Sequence, residues 1–321
     1  MAMEVLTASA LKRLRSPSFE ADRARQCRIE AAERRLGPGG APAPAPEGQA
    51  SASEEAEFCV AAADGYTLSV VGPRVPRTAG AVLLLHGRTW SSGGVWSQPK
   101  TLRSLGRDAY ALDFRHFGRT PDRSDGFDLK PSTCCGDARA ALAWLRGLGY
   151  EKVALLGWSF GALVAQLVAV QEGPRLDALI LYASVWDRAG AYCDPNGPFA
   201  CDSPRGPQTF ADCLSDFTLD NIDAGDAKAF AAALLEADPV RVDWSSLSEF
   251  EVDLAKIVSP TLCVYGDADP HAPDNEQTAL LGALGAMHKR AYVVPDSDHV
   301  AHVTANKRLW TVAIRGFLSR T

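Results

Sequence analysis

The chain has 321 residues, of which 46% are hydrophobic and 22% are charged, and its formal net charge at pH 7 is −6. This composition is that of an ordinary globular protein, and the acidic balance excludes an overall basic surface for nucleic acid. No apolar stretch approaches the length that a membrane-spanning helix needs, and the first residues lack the apolar segment of a secretory signal. We therefore expect a cytoplasmic protein, with organelle targeting by the N-terminal tail left open.

The eight cysteines contain neither a C-x-x-C pair nor a Cys/His spacing that suggests zinc. Without an export signal, we expect them to be reduced thiols that are mostly buried as small apolar groups. Cys193 and Cys201 lie close in sequence, but a disulfide between them would require an oxidising compartment.

Residues 1–55 are predicted to form a tail outside the core. Arg, Glu and Ala dominate its first part, and a linker rich in Pro, Ala and Gly follows. Such a low-complexity sequence cannot build a core of its own. We predict that the tail is disordered or loosely docked.

Short apolar runs alternate with helical patterns after the tail. Two strands joined by a turn at Asp64 and Gly65 come first. The buried strands predicted after them cover residues 81–87, 109–114, 153–156, 178–183, 261–265 and 291–294. The predicted helices cover residues 98–105, 131–147, 162–168, 275–284 and 305–318. This alternation predicts the α/β class, with a mostly parallel central sheet and helices on both faces.

Two of the predicted helices have an apolar face that should be buried against the sheet. In the helix over 131–147, this face consists of Ala138, Ala141, Leu142, Leu145 and Leu148. In the last helix, it consists of Trp310, Ala313, Ile314 and Phe317.

The alternation is interrupted between residues 185 and 257. The first part of this stretch is rich in Pro and Gly. The second part is rich in Asp and Ala and has helical patterns, and neither part has a strong strand pattern. We predict a helical cap insertion over the carboxyl edge of the sheet. Residues 56–184 and 258–321 would then form the α/β core.

Residues 157–161, GWSFG, have the spacing G-x-S-x-G between a predicted buried strand and a predicted apolar helix. The two glycines let the helix approach the strand closely, and the tight turn holds Ser159 in a strained conformation at its tip. The turn also directs the helix N-terminus at whatever binds there. We predict that Ser159 is a nucleophile.

A serine hydroxyl needs a base within hydrogen-bond reach, and the base needs an orienting acid. His299 follows the last predicted strand, so it should lie at the same sheet edge as Ser159. We predict that His299 is the base and keep His302 as the alternative. The other histidines are expected to shape a loop (His86) or to lie in loops or at the surface (His116, His271 and His288).

The acid should come from another strand end. Asp269 follows the strand that starts at Thr261 and precedes Pro270, which favours a firm, extended loop. We predict that Asp269 is the acid. Asp267 is the second candidate, although it could be a turn residue that bonds its own backbone. Asp187 is the third candidate, and Asp298 is expected to be solvated.

Backbone N–H groups should stabilise the oxyanion that such chemistry develops. We predict the N–H of Phe160, directly after the nucleophile, and the N–H of Arg88, with Thr89 as its alternative. Aromatic residues near the same edge, Trp90, Trp96 and Trp158, are predicted to contact an apolar or aromatic substrate group.

These motifs together resemble those of the α/β-hydrolase superfamily. They are LLLHG before the oxyanion loop, GWSFG at the turn, G-D-A-D at the acid and D-H at the base, and the order Ser159, Asp269, His299 is the family's order. DFRHFGRT stands in place of the family's D-x-R-G-x-G-x-S, so His116 and Thr120 are departures from it. A serine at the turn argues against the branches that attack with a carboxylate, the epoxide hydrolases and haloalkane dehalogenases.

The resemblance extends from Glu57 to Thr321 and implies a serine esterase that cleaves a carboxylic ester or thioester of a small, apolar substrate. It implies no metal and no organic cofactor. A receptor that binds a small ligand, an acyltransferase and a carbon–carbon hydrolase on the same fold remain alternatives, and the oligomeric state is left open.

Overall fold

The computed structural model describes four long stretches of the chain, residues 55–87, 105–120, 131–184 and 252–321. Within the insertion it describes residues 206–207, 209–214, 217–219, 227–228, 231–232, 235 and 240–241. The predictions for residues 1–54, for most of the helix near 98–105, for Asp187 and for the Cys193–Cys201 pair lie outside this part of the chain.

Within these described stretches, eight strands form one sheet in the order β1-β2-β4-β3-β5-β6-β9-β10. Their bounds are β1 Glu55–Ala61, β2 Thr67–Pro73, β3 Gly80–Leu85, β4 Asp108–Asp113, β5 Lys152–Trp158, β6 Ala178–Tyr182, β9 Thr261–Gly266 and β10 Lys289–Val294. β1 and β2 form the predicted antiparallel hairpin, and β2 is also antiparallel to β4. All other neighbours in the sheet are parallel, so the prediction of a mostly parallel sheet is confirmed.

The central strands are apolar along their whole length because helices cover both faces of the sheet. Successive residues of β3 point to opposite faces. Leu83 and Leu85 belong to one core cluster, and Val82 and Leu84 belong to the other. α1 (Pro131–Gly147), α2 (Phe160–Glu172) and α4 (Asp274–Ala283) contribute to the first cluster, and α5 (Lys307–Leu318) contributes to the second.

One predicted core position is wrong. Leu148 is 40% exposed, although the other four predicted residues of that helix face are buried. α1 ends at Gly147, and the chain then turns through Gly149, whose φ is +96°. The helical period therefore no longer applies at Leu148. In α5, Trp310 and Ile314 are buried as predicted, whereas Ala313 and Phe317 are only partly buried.

The described parts of the insertion pack on the second core cluster. α3 (Phe210–Leu214) contributes the buried Cys213, which belongs to the same cluster as Trp158 and Trp310. Two strands of two residues each, β7 (Gly206–Pro207) and β8 (Val240–Arg241), pair antiparallel. None of the helices among the described residues combines the length and the hydropathy that crossing a membrane requires.

Candidate active site

The turn between β5 and α2 places Ser159 at the centre of the sheet, in a conformation that non-glycine residues seldom adopt. Its φ and ψ are 55° and −118°. The backbone N–H of Ser159 donates to the carbonyl of Tyr182, at the end of the neighbouring β6, with an N···O distance of 2.9 Å. A backbone held in this region is strained, and such strain is common where a side chain has to be presented for chemistry.

The two glycines of the turn are required by close backbone contacts. A Cβ at Gly157 would overlap the carbonyl group of Gly161, and a Cβ at Gly161 would overlap the carbonyl oxygens of Leu85 and His86. The turn is therefore packed against the end of β3 as well as against its own helix. This explains the G-x-S-x-G spacing by geometry and fixes where the Ser159 side chain begins.

His299 and Asp269 form a buried pair at the same edge of the sheet. His299 Nδ1 lies 3.0 Å from both carboxylate oxygens of Asp269. The two side chains are 3% and 0% exposed, so little solvent screens their interaction. Asp269 also accepts hydrogen bonds from the backbone N–H groups of His271 and Ala272, at 2.8 and 3.0 Å. A carboxylate in this position favours the Nδ1–H tautomer and leaves Nε2 as the acceptor of the imidazole.

Two aromatic residues hold the backbone of His299. Trp158 Nε1 donates to the His299 carbonyl at 2.9 Å, and the Tyr182 hydroxyl donates to the same carbonyl at 3.2 Å. The Trp158 ring also packs against the His299 ring, with 5.4 Å between centroids. Trp158 is 1% exposed. Its side chain therefore supports the imidazole from within the core, which replaces the predicted role as a substrate contact.

His302, the alternative base, lies in the core behind this site. It is 3% exposed, its Nδ1 is 2.8 Å from the Tyr182 hydroxyl, and its backbone N–H donates to that hydroxyl at 3.2 Å. Its ring meets Trp158 edge-on, with centroids 5.2 Å apart. It lies in the loop before α5, which begins at Lys307.

His86 and His271 also lie close to the site. His86 is fully buried; its Nδ1 donates to the Gly87 carbonyl at 2.6 Å, and its Nε2 accepts from the Phe114 N–H at 3.2 Å. Burial lowers the pKa of His86, so this neutral side chain shapes the loop, as predicted. His271 is only partly exposed, and its ring meets His299 edge-on at 4.9 Å. No pattern in the sequence predicts this contact.

The loops that follow β9 and β10 are packed against each other. A Cβ at Gly266 would overlap the carbonyl oxygen of Ser297. Asp267 accepts hydrogen bonds from the backbone N–H groups of Asp296 and Ser297, at 3.1 and 3.0 Å. Asp267 therefore connects the loop after β9 to the loop after β10 instead of bonding its own backbone. The imidazole of His299 bonds Asp269 instead.

The prediction that Asp298 is solvated is wrong. Asp298 is 0% exposed and accepts hydrogen bonds from the backbone of Thr218, Leu219 and Val300. The sequence could not show this, because Thr218 and Leu219 belong to the insertion, some 80 residues earlier in the chain.

One of the two predicted oxyanion donors lies within the described residues. Phe160 is the first residue of α2, a helix of 13 residues, so its N–H is at the positive end of the helix dipole. Gly87, which opens the other predicted donor loop, lies beside the turn: a Cβ there would be 3.4 Å from Ser159 Cβ. Arg88, Thr89, Trp90 and Trp96 lie outside the described part of the chain.

The structure places a strained serine at a helix N-terminus and, at the same edge of the sheet, an imidazole that a buried carboxylate orients. These are the groups that nucleophilic acyl transfer requires. Among the residues that the structure describes, no three His, Cys, Asp or Glu side chains are grouped so that they could hold a metal ion.

A comparison with protein families matches residues 82–311 to the alpha/beta hydrolase family. The matched region includes the serine turn, the insertion, the His299–Asp269 pair and the first five residues of α5. It therefore covers most of the chain.

Solved structures of the same fold include hydrolases with different reactions. A hydrolase from Pseudomonas aeruginosa PA01 is 17% identical, with a TM-score of 0.65, over 84% of this chain and 99% of its own. A thermophilic esterase from Thermogutta terrifontis is 20% identical, with a TM-score of 0.61, over 83% and 98%. A meta-cleavage product hydrolase from Pseudomonas fluorescens IP01 is 16% identical, with a TM-score of 0.61, over 82% and 97%. At these identities, the similarity shows the fold.

Proposed function

This chain belongs to the alpha/beta hydrolase family, and on that premise we propose that it is a serine hydrolase that cleaves a carboxylic ester or thioester of a small, apolar substrate. Ser159 is the nucleophile, His299 the general base and Asp269 the acid that orients it. The observation on which the proposal depends is the buried His299–Asp269 pair at the strand ends beside the serine turn.

In the first half of the proposed reaction, Ser159 Oγ attacks the acyl carbon and its proton passes to His299 Nε2. Asp269 stabilises the imidazolium that forms, and the N–H groups of Phe160 and Arg88 donate to the oxyanion. The C–O bond to the leaving alcohol then breaks, and the alcohol departs with the proton from His299. The acyl group remains bonded to Ser159 Oγ.

In the second half, His299 takes a proton from water, and the resulting hydroxide equivalent attacks the acyl-enzyme. The bond to Ser159 Oγ breaks, the acid is released, and the serine regains its proton from His299. Each group returns to its starting state, so these steps need no further reactant.

Several features of the site support this assignment. The nucleophile stands at the N-terminus of a 13-residue helix, where developing negative charge is stabilised. The base is fixed through its backbone by Trp158 and Tyr182, which limits the motion of the imidazole. Preorganisation of this kind is the main source of catalytic power in acyl transfer.

A panel of p-nitrophenyl esters with acyl chains of rising length tests the proposal. We expect turnover of the esters with short acyl chains, and no turnover above background for Ser159→Ala. Equal turnover by the two proteins would contradict the proposal. Parallel assays with thioesters and with added alcohol acceptors distinguish ester hydrolysis from thioester hydrolysis and from acyl transfer.

Carbon–carbon bond hydrolysis is the second candidate, because a meta-cleavage product hydrolase has the same fold. It would use the same residues, with a carbanion as the leaving group. Turnover of a vinylogous diketone acid without turnover of any ester would favour it.

A further inference from the structure

One short segment of the insertion is hydrogen-bonded to both loops of the candidate site. The backbone N–H groups of Thr218 and Leu219 donate to Oδ2 of Asp298, at 3.0 and 3.4 Å. The Thr218 hydroxyl donates to the carbonyl oxygen of Ala268 at 3.3 Å. Ala268 and Asp298 directly precede Asp269 and His299 in the chain. The insertion therefore contacts the backbone or side chain next to each member of the pair.

The Asp298 carboxylate is buried and uses both oxygens. Oδ1 accepts a hydrogen bond from the Val300 N–H at 3.2 Å, on the far side of His299 in the sequence. Burial raises the pKa of Asp298, and the hydrogen bonds from Thr218, Val300 and Leu219 oppose this effect. A buried carboxylate that loses its hydrogen-bond partners lowers the stability of the fold. The carboxylate therefore keeps the insertion and the base loop together.

We propose that Asp298 is a positioning residue: it fixes the base loop against the insertion and thereby sets the orientation of the His299 imidazole. The carbonyl of His299 is already held by Trp158 and Tyr182. Asp298 anchors the preceding residue from the side of the insertion. The inference rests on the proposed function, because it assigns the base role to His299.

A charge effect distinguishes this role from simple structural support. An ionised carboxylate beside an imidazole stabilises the imidazolium, so replacing Asp298 with Asn should lower the pKa of the base. Among the described residues, the ionisable side chains around this position include Asp269, whose charge acts on Asp298, His299 itself and His271, which packs edge-on against His299. Neither Asp269 nor His271 is altered by the substitution.

The test measures the rate at which a fluorophosphonate probe labels the full-length protein between about pH 5 and pH 9. It compares wild type with Asp298→Asn, Thr218→Val and the control Asp296→Asn. Asp296 is an exposed residue of the same loop with a φ of 46°, a conformation that Asn accepts readily. Backbone hydrogen exchange of residues 217–219 and the melting temperature are recorded for each variant.

We expect Asp298→Asn to slow labelling about tenfold or more, to move the acid limb of the rate profile to lower pH and to speed exchange at residues 217–219. Thr218→Val should slow labelling by about two- to threefold, and Asp296→Asn should match wild type. A folded Asp298→Asn protein with the wild-type rate and pH profile would overturn the inference. If that variant does not fold, Asp298→Ser, which also removes the carboxylate, takes its place, and a wild-type rate and pH profile in it would overturn the inference; Thr218→Val tests only the bond to Ala268. A wild-type protein that is not labelled at Ser159 would instead contradict the proposed function, whereas the exchange measurement would still test the tie to the insertion.

Discussion

At the scale of single residues, the candidate site depends on which carboxylate contacts the imidazole. Asp269 and Asp267 are two positions apart, and both follow β9. The structure gives them different partners: Asp269 contacts His299 Nδ1, and Asp267 accepts from the backbone of the neighbouring loop. The two residues also differ in burial, since Asp269 is 5% exposed and Asp267 is solvent-exposed.

This difference predicts unequal effects of the same substitution. Asp269→Asn should preserve the fold and lower kcat/KM by up to about 10⁴-fold, the cost of the matching change in a serine protease, because Asn favours the wrong imidazole tautomer. Asp267→Asn should cost less than about tenfold, since it weakens hydrogen bonds between two loops and leaves the contact of Asp269 with His299 intact. Kinetics of the two purified variants on one ester check this. A larger loss for Asp267→Asn would move the acid by two positions.

Predictions for single residues agreed with the structure where a short motif determines the backbone conformation. The G-x-S-x-G spacing has a steric cause that is visible in the sequence itself, since only Gly tolerates the contacts at 157 and 161. The burial of Asp298 and the support of His299 by Tyr182 were missed. Both depend on residues that are distant in sequence, and a single chain read by local pattern does not show such pairings.

At the scale of secondary-structure elements, the loops after β9 and β10 have to pack closely to bring acid and base together. Gly266 ends β9 at the point of closest approach, against the carbonyl oxygen of Ser297. Gly282, in α4, has no atom within 4 Å of the position of a Cβ. The two glycines therefore form a matched pair for substitution.

Gly266→Ala should destabilise the protein by about 1–3 kcal/mol or more, because one loop has to move away from the other. A displacement of this kind should also lower kcat/KM by about 10²-fold. Gly282→Ala should instead stabilise the fold by about 0.5–1 kcal/mol, since Ala loses less backbone entropy than Gly in a helix. Denaturant unfolding and ester kinetics measure both. A Gly266→Ala protein with wild-type stability and kcat/KM would contradict the close contact of the two loops.

An ion cluster around one buried carboxylate connects α1 to the C-terminal end of α2. Glu172, whose side chain is 4% exposed, forms ion pairs with Arg139 at 3.1 Å, Arg146 at 2.9 Å and Arg175 at 3.4 Å. Burial alone would raise the pKa of Glu172, but the hydrogen bonds and charges of the arginines outweigh it and lower the pKa below its ordinary value of 4.5. Glu172 therefore stabilises the fold above that value, and this contribution is lost as the pH falls through the folded-state pKa.

Glu172→Gln should lower the free energy of unfolding at about pH 7 by about 1–3 kcal/mol, a drop of about 2–4 °C in Tm per kcal/mol. The difference from wild type should shrink as the pH is lowered from about 5 to about 3, because the wild-type carboxylate is then protonated as well. Thermal melts across this range check the prediction, with Glu151→Gln at an exposed position as the control. A difference that stays constant with pH would exclude the ionised carboxylate as its cause.

At the scale of the whole molecule, the hydrophobic pattern predicted the architecture well. The mostly parallel sheet, the hairpin and the helices that cover both faces follow from apolar runs whose period changes between strand and helix. Boundaries differed by one to several residues, as in α2, which extends from Phe160 to Glu172. The insertion was harder to predict, because its residues pack on Trp158 and Trp310, which are distant in the sequence. No short hydrophobic repeat in the sequence indicates such contacts.

The N-terminal tail provides a prediction at this scale. Deletion of residues 1–52 should leave Tm and activity nearly unchanged, since a Pro/Ala-rich segment buries little apolar surface. Differential scanning calorimetry and ester turnover of the truncated protein test this expectation. A Tm that drops by about 8 °C or more would show that the tail docks on the domain, given about 2–4 °C per kcal/mol for a domain of this size.

The central claim is that Ser159 is the nucleophile, and covalent trapping tests it most directly. Intact-mass and peptide mass spectrometry after treatment with a fluorophosphonate should find one adduct, on the peptide that contains Ser159. Ser159→Ala should give none, and His299→Ala should react far more slowly although its serine is intact, because the members of such a group act together. Labelling of Ser159→Ala at the wild-type rate, or an adduct on another residue of the wild-type protein, would contradict the account.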